Sequence, residues 1–195
     1  MKIQILDLSA DDELKIEQIA QLLVESFRQD WPDAYPNLSV ALAQVREFFE
    51  TDRISRIAID DRGEVVGWIG GTPQYDGHVW ELHPLVVKAE CRRQGIGRSL
   101  VMDLEAQARE RGGITLWVGS DDENNLTTLS GIDLYPDVWE HISKIRNLRG
   151  HPYEFYQSVG FAIVGVLPDA NGWGKPDILM AKRIAPQTNS EAVRE

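Results

Sequence analysis

Glu81 and His83 stand two residues apart in the run Trp80-Glu81-Leu82-His83-Pro84-Leu85-Val86-Val87. A carboxylate can hold an ammonium group and accept its proton, and an imidazole can do the second of these. On a regular strand such a pair shares one face and meets the same ligand. Pro84 lacks an N–H, which predicts a bulge or a splayed strand at that point. A free N–H at Leu85 could then bond a carbonyl oxygen that gains negative charge. Each group also has a plainer role. Glu81 can be an exposed strand residue beside a charge partner, and His83 a core histidine with its hydrogen bonds satisfied.

The same stretch continues into Arg92-Arg93-Gln94-Gly95-Ile96-Gly97, followed by Arg98 and Ser99. Its spacing is R/Q-x-x-G-x-G/A. Glycines let backbone approach a ligand closely, and the first amides of a helix point outward where the dipole favours an anion. Three arginines add charge, so a pyrophosphate is the natural guest. The run lacks the third glycine of a dinucleotide fingerprint and the Gly-Lys-Ser/Thr of a nucleotide P-loop. By itself, it reads equally well as a helix start that needs two glycines.

The elements that must carry these groups follow from periodicity. A strand is predicted over 78–87, an amphipathic helix over 97–111 ended by Gly112-Gly113, and a buried strand over 114–120. The whole order is β-α-α-β-β-β-α-β-α-β-β, one α/β domain with a mixed sheet over 1–184. A polar tail is expected over 185–195. The 195 residues carry a formal net charge of -11. That charge repels phosphate backbones and argues against nucleic acid, while favouring a cationic small molecule or peptide. Solubility alone can also explain it. Cys91 is the single cysteine, so no intrachain disulfide or multi-cysteine metal site can form. Without an adjacent base it is not expected to act as a nucleophile. The N-terminus lacks a signal-peptide core, and no run of ~18 apolar residues occurs. A cytoplasmic protein without a membrane partner is expected.

The strand, basic turn and helix resemble the acetyl-coenzyme A site of the GNAT acetyltransferase superfamily. The blocks "WELHPLVV", "RGGITLWVGSDD", "TTLSGIDLY" and "HPYEFYQSVGFAIVGVLPDANGWGKPDILMAK" look like the bacterial aminoglycoside 6'-N-acetyltransferases, particularly the chromosomal enterococcal-type group. The first ~50 residues match more loosely, chiefly through "WPDAY".

The resemblance implies a GNAT fold: a mixed, mostly antiparallel central sheet flanked by helices, with a splayed strand pair holding acetyl-CoA. It implies acetyl-CoA as co-substrate, no metal, and a homodimer. It assigns the cofactor to Leu85, Val86 and Val87 and to the turn Arg92, Arg93, Gln94, Gly95, Ile96, Gly97, Arg98 and Ser99. It assigns catalysis to Glu81, His83 and Leu85, with Tyr156 protonating the departing thiolate. Aminoglycosides carry several ammonium groups, so their pocket should supply carboxylates and flat apolar walls. Asp121 and Asp122 at a strand end, with Trp31, Tyr35 and Glu81, are the substrate-side candidates. Glu123 extends the acidic run, and Tyr135 and Trp139 are further wall candidates. Two other readings stay open: a GNAT enzyme for a polyamine or peptide amine, and a non-catalytic module that binds coenzyme A or a drug.

Overall fold

Helix α1 (Glu13–Phe27) begins where the Asp12 side chain accepts the Lys15 N–H. The serine-x-x-acid signal at Ser9 pointed to this region, but the cap is Asp12 itself, one turn later. Ile16, Ile19, Ala20 and Leu23 fall at helical spacing and are fully buried. They pack with Ala41 and Val45 of α2 (Leu38–Glu47), whose start is capped by Asn37. Residues 2–29, 31–50 and 52–186 are described in this computed structural model. Most of the tail expected over 185–195 lies outside the described residues.

Seven strands form one sheet: β1 (Gln4–Asp7), β2 (Ile54–Ile59), β3 (Val65–Gln74), β4 (Val79–Val87), β5 (Thr115–Asp121), β6 (Ala162–Leu167) and β7 (Asp177–Arg183). Their spatial order is β1-β2-β3-β4-β5-β7-β6. Every neighbouring pair is antiparallel except β4 and β5, which are parallel. Helix α3 (Ile96–Glu110) joins β4 to β5, as a parallel crossover requires. Two short helices, α4 (Val138–Ser143) and α5 (Tyr153–Ser158), lie in the connection from β5 to β6.

Ile57, Val65 and Trp68 belong to the core under α1 and α2, while Ala58, Val66 and Ile69 belong to the core under α3. Adjacent strand residues point to opposite faces, so the two clusters lie on opposite sides of the sheet. Leu100 and Leu104 of α3 are fully buried, each contributing roughly 1.5–3 kcal/mol of transfer free energy. No helix among the described residues is long and apolar enough to cross a membrane.

Two irregularities shape the centre of the sheet. First, β4 pairs with β5 only through Val79–Glu81 opposite Thr115–Trp117. Beyond that fork β5 stays with β7 as far as Asp121, and β4 stays with β3 as far as Val87. A V-shaped cleft therefore opens between β4 and β5, the splayed pair that the sequence predicts. Second, the β3–β4 register shifts between Ile69↔Leu85 and Gly71↔Leu82, so His83 and Pro84 stand opposite Gly70 alone. The His83–Pro84 peptide is cis. A Cβ on Gly70 would lie 2.5 Å from the His83 carbonyl oxygen and 2.4 Å from the Phe48 ring. Only glycine lets the bulge sit this close.

Candidate active site

One side of the cleft is backbone. Lys88 donates its N–H to the Val66 carbonyl at 2.9 Å. N–H directions alternate along a strand, so Val86 also faces β3, while the Leu85 and Val87 amides face the side from which β5 has parted. This agrees with the free Leu85 N–H expected beside Pro84. It corrects the expectation for Val86, whose side chain is only 4% exposed in the α1–α2 core and whose backbone is turned to β3. Nothing of Val86 is left for a ligand in the cleft.

Past β4 the chain makes a 3-10 turn over Ala89–Cys91 and reaches α3 through Arg93 at φ 59° and Gly95 at φ 86°. Left-handed residues in this position turn successive N–H groups toward one point. No side chain among the described residues caps α3, whose first turn carries the helix dipole's positive end. Arg92 Nε is held on the Val87 carbonyl at 3.2 Å, and Gln94 Nε2 on the Glu90 carbonyl at 3.2 Å. Arg98 instead donates to the Ser158 carbonyl at 2.8 Å and ties α3 to α5. The Ile96 side chain is core, so only its backbone faces the turn. A Cβ on Gly97 would lie 3.3 Å from the Phe155 ring, so α5 packs against the helix start at that glycine. The Ser99 N–H closes the first helical turn on Gly95, which leaves its hydroxyl.

Tyr156 lies on α5 and meets Phe155 and Phe161 edge-on, with centroids 5.3 and 5.7 Å away. Part of its surface remains accessible, yet the protein packed around it pushes the phenol well above its ordinary pKa. It therefore keeps its proton through neutral pH. Tyr156, Leu85 and Val87 all pack on the α3-side core.

The other side, at the fork, is built from side chains on one sheet face. Glu81 stands opposite Trp117, and Asp121 opposite Asp177; the alternation along β5 and β7 puts all four on the same face. Glu81 Oε2 accepts from Gln74 Nε2 at 2.8 Å, and Gln74 Oε1 in turn accepts from Trp117 Nε1 at 3.0 Å. That chain fixes Glu81 at the fork. His83 keeps an exposed edge, but protein crowds the ring and lowers its pKa by burial; Glu81 and Asp121 oppose the shift. Both charges reach His83, as the shared face predicts. The imidazole is neutral at pH 7, so it can accept a proton there.

Two substrate-side expectations are corrected. Asp122 is fully buried, and its two oxygens accept from the Leu126 and Thr127 N–H groups at 2.7 and 2.8 Å. It folds the loop after β5 and offers no oxygen to a ligand. Tyr35 is 7% exposed and meets Phe27 edge-on at 4.9 Å within the α1–α2 core. Burial and then Glu47 push its phenol up to about 12. Trp31 is half-buried against Phe27, and its buried indole N–H has no hydrogen-bond partner among the described residues. Tyr135 and Trp139 stand out into solvent, and Glu123 is turned to Lys175 at 3.8 Å.

The structure also brings in residues that sequence reasoning missed. Asn171, from the turn-rich loop before β7, donates to Asp121 Oδ1 at 2.6 Å. Buried His151 accepts the Tyr153 N–H on Nδ1, so Nε2 carries the proton donated to the Asp121 carbonyl at 3.1 Å. It links the Asp121 end of β5 to the helix that holds Tyr156. Asp177 begins a strand read only as a closing element. No local pattern marks these residues; only strand pairing and loop return bring them to the cleft. A separate surface cavity of ≈ 350 Å³ beside α1 is lined by Glu17, Glu64, Lys88 and Glu90 among others, an acidic setting unsuited to a phosphate. Among the described residues no group of three or more His, Cys, Asp or Glu is placed to hold a metal ion.

The sequence profile of the Acetyltransferase (GNAT) family matches residues 16–129. This span contains the bulged strand, the cleft, the basic turn and α3. The chain belongs to the GNAT acetyltransferase family. Within it, an aminoglycoside 6'-N-acetyltransferase solved in complex with coenzyme A is 42% identical, covering 95% of this chain and 99% of that one at a TM-score of 0.88. The aminoglycoside 6'-N-acetyltransferase from Enterococcus faecium is likewise 42% identical over the same shares, at 0.86. The ribosomal-protein-S18-alanine N-acetyltransferase from Escherichia coli covers 97% of this chain and 98% of its own at 16% identity and 0.63, and shares the GNAT fold alone. No curated protein sequence matches the chain significantly. The GNAT fold expected from the sequence is the fold observed.

Proposed function

We propose that this GNAT acetyltransferase moves the acetyl group of acetyl-CoA to the 6'-amine of an aminoglycoside. One observation carries the reading. A cleft edged by outward-facing backbone amides and a basic helix start ends at a fork where carboxylates share one face. An anionic cofactor suits the first half and a polycationic acceptor the second. The likeness in sequence and fold to two aminoglycoside 6'-N-acetyltransferases supports the same substrate class.

In this reading the pyrophosphate lies on the turn Arg92–Ser99, with Arg93, Gly95 and Gly97 closest to it. The pantetheine arm runs along Leu85 and Val87. The Leu85 N–H bonds the thioester oxygen as it gains charge. Glu81 holds the acceptor ammonium and takes its proton, directly or through water, with neutral His83 beside it as a second proton acceptor. The freed amine attacks the thioester carbonyl carbon; the C–N bond forms, the nitrogen gives up its second proton to neutral His83, and the C–S bond breaks. Tyr156, whose proton burial retains, gives it to the departing thiolate.

The test is an acceptor panel read by thiol release and product mass. A 6'-amino aminoglycoside should be acetylated, and the same scaffold lacking that amine should be inert. Turnover only with spermidine or a lysine peptide would replace the substrate; tight drug binding with no product would make the chain a binding module. The remaining elements of the reading are one catalytic domain over 1–184, a cytoplasmic location consistent with the free thiol of Cys91, and a homodimer. Edge strand β6, with Val164 and Leu167 each 54% exposed, offers an apolar surface for the dimer. Sedimentation at micromolar concentration decides the dimer.

A further inference from the structure

Asp177 opens β7 directly opposite Asp121, on the sheet face that carries Glu81. Its carboxylate folds back over β5 at Gly119, where a Cβ would lie 2.5 Å from Oδ2 and 3.0 Å from Oδ1. Any other residue at 119 would displace it, so the glycine keeps a slot for this carboxylate. The Ser120 N–H offers it one hydrogen bond. Oδ1 is buried and has no partner among the described residues.

The charges around it are unfavourable. Glu81 faces it from β4 and Asp121 from β5, both of its own sign. His83, which senses Glu81 and Asp121, is held toward its neutral form. Lys175 is turned to Glu123, and Asn171 neutralises nothing on Asp121. A half-buried carboxylate with an orphaned oxygen and two like-charged neighbours has no counter-ion among the described residues.

We propose that Asp177 is a specificity-determining residue of the acceptor site. With Asp121 it holds an ammonium group of a polycationic acceptor other than the amine that reacts at Glu81. This rests on the aminoglycoside reading and deepens it, since it selects acceptors by a second positive charge. The spacing suits two amines of one molecule. Trp117, opposite Glu81, is separated from Gly119 and Asp121 by two and four strand residues, roughly 7–13 Å at ~3.3 Å per residue. A monoamine cannot reach both places.

Burial first, and Asp121 next, push the Asp177 carboxyl up to about 6. The group is therefore about half protonated at pH 6 in the free protein, and a bound ammonium favours its ionised form. Acceptor binding near pH 6 should then release a proton from Asp177.

The experiment compares the native protein with Asp177→Asn. The probes are neamine, a two-ring aminoglycoside with several amines, and 6-amino-6-deoxyglucose, which has one. Turnover gives the KM of each, and calorimetry of neamine in two buffers of different ionisation enthalpy at pH 6 gives the protons released. The substitution should raise the neamine KM about tenfold relative to the monoamine KM. It should also remove about half a proton from the release. An equal change in both KM values, or an unaltered proton release, overturns the proposal. If the native protein binds neamine with Asp177-dependent proton release but makes no product, the acetyl-transfer reading falls and the cation site stands. If it acetylates neamine and Asp177→Asn behaves as native, the cation site falls alone. If neamine neither binds nor reacts, both fall.

Discussion

In the proposed reading the two arms of the cleft are built in opposite ways. The donor arm is a single stretch, from the bulge at His83–Pro84 to the first turn of α3, and its working groups are backbone amides. The acceptor arm draws Glu81 from β4, Trp117 and Asp121 from β5, Asn171 from a late loop and Asp177 from β7, and its working groups are side chains. A thioester and a pyrophosphate are the same in every reaction of this chemistry, and amides fixed by local chain geometry serve them. An acceptor differs from enzyme to enzyme, and side chains on separate strands can change one at a time. The donor arm should therefore fail as a unit and the acceptor arm piecewise.

Glu81→Ala gives the largest expected effect, a fall in kcat of about 100-fold or more, because it removes the group proposed to take the amine proton. The KM for acetyl-CoA should stay within about twofold if the arms are separate; loss of cofactor affinity would merge them. Reversing charge at Arg92 and Arg93 together should raise the acetyl-CoA KM about tenfold at low salt, and added salt should shrink the defect because both side chains are exposed. A matching rise in acceptor KM would break the comparison.

Gly119→Ala sharpens it from the other side. Its new methyl group meets the Asp177 carboxylate, so acceptor KM should rise about fivefold with acetyl-CoA KM unmoved. Steady-state titration of each substrate in turn reads this directly. The smallest effect is on stability. Asp177 has a folded-state pKa raised from 3.8 to about 6, so the fold favours its neutral form and its ionisation costs stability. Below both values nothing is lost; the penalty grows across that window and is complete above it. Asp177→Asn should thus stabilise the protein at neutral pH by about 1 kcal/mol, after discounting for solvent screening, with no gain below about pH 4. Denaturant melts at both pH values measure it, and destabilisation at neutral pH would mean that Asp177 already has a counter-ion.

Much of the donor arm is legible in the sequence. Pro84 announced the bulge, and Arg92–Gly97 announced the glycine turn into α3, because both act through the chain's local geometry. Val86 was misread for the same kind of reason: alternation of N–H directions removes every second residue from the cleft, and the phase of that alternation is a property of the β3–β4 register. On the acceptor side, Asp121 and Asp122 looked alike as neighbours in an acidic run. The fold separates them, turning one to the cleft and spending the other on two loop amides. Tyr35 looked like a pocket wall because an aromatic between two prolines gives no sign of whether it packs inward.

The sequence by itself determined the family, the order of elements, the proline-marked opening of β4 and the basic glycine turn, since each is encoded in contiguous residues whose backbone preferences are local. Only the tertiary structure decided which carboxylates gather at the fork. Asp177 reaches Asp121 through the pairing of β5 with β7, Asn171 returns through a loop, and Gly119 matters only because another strand's side chain lies over it. Such contacts join residues far apart in the chain, and a one-residue shift in strand register would turn Asp177 to the opposite face.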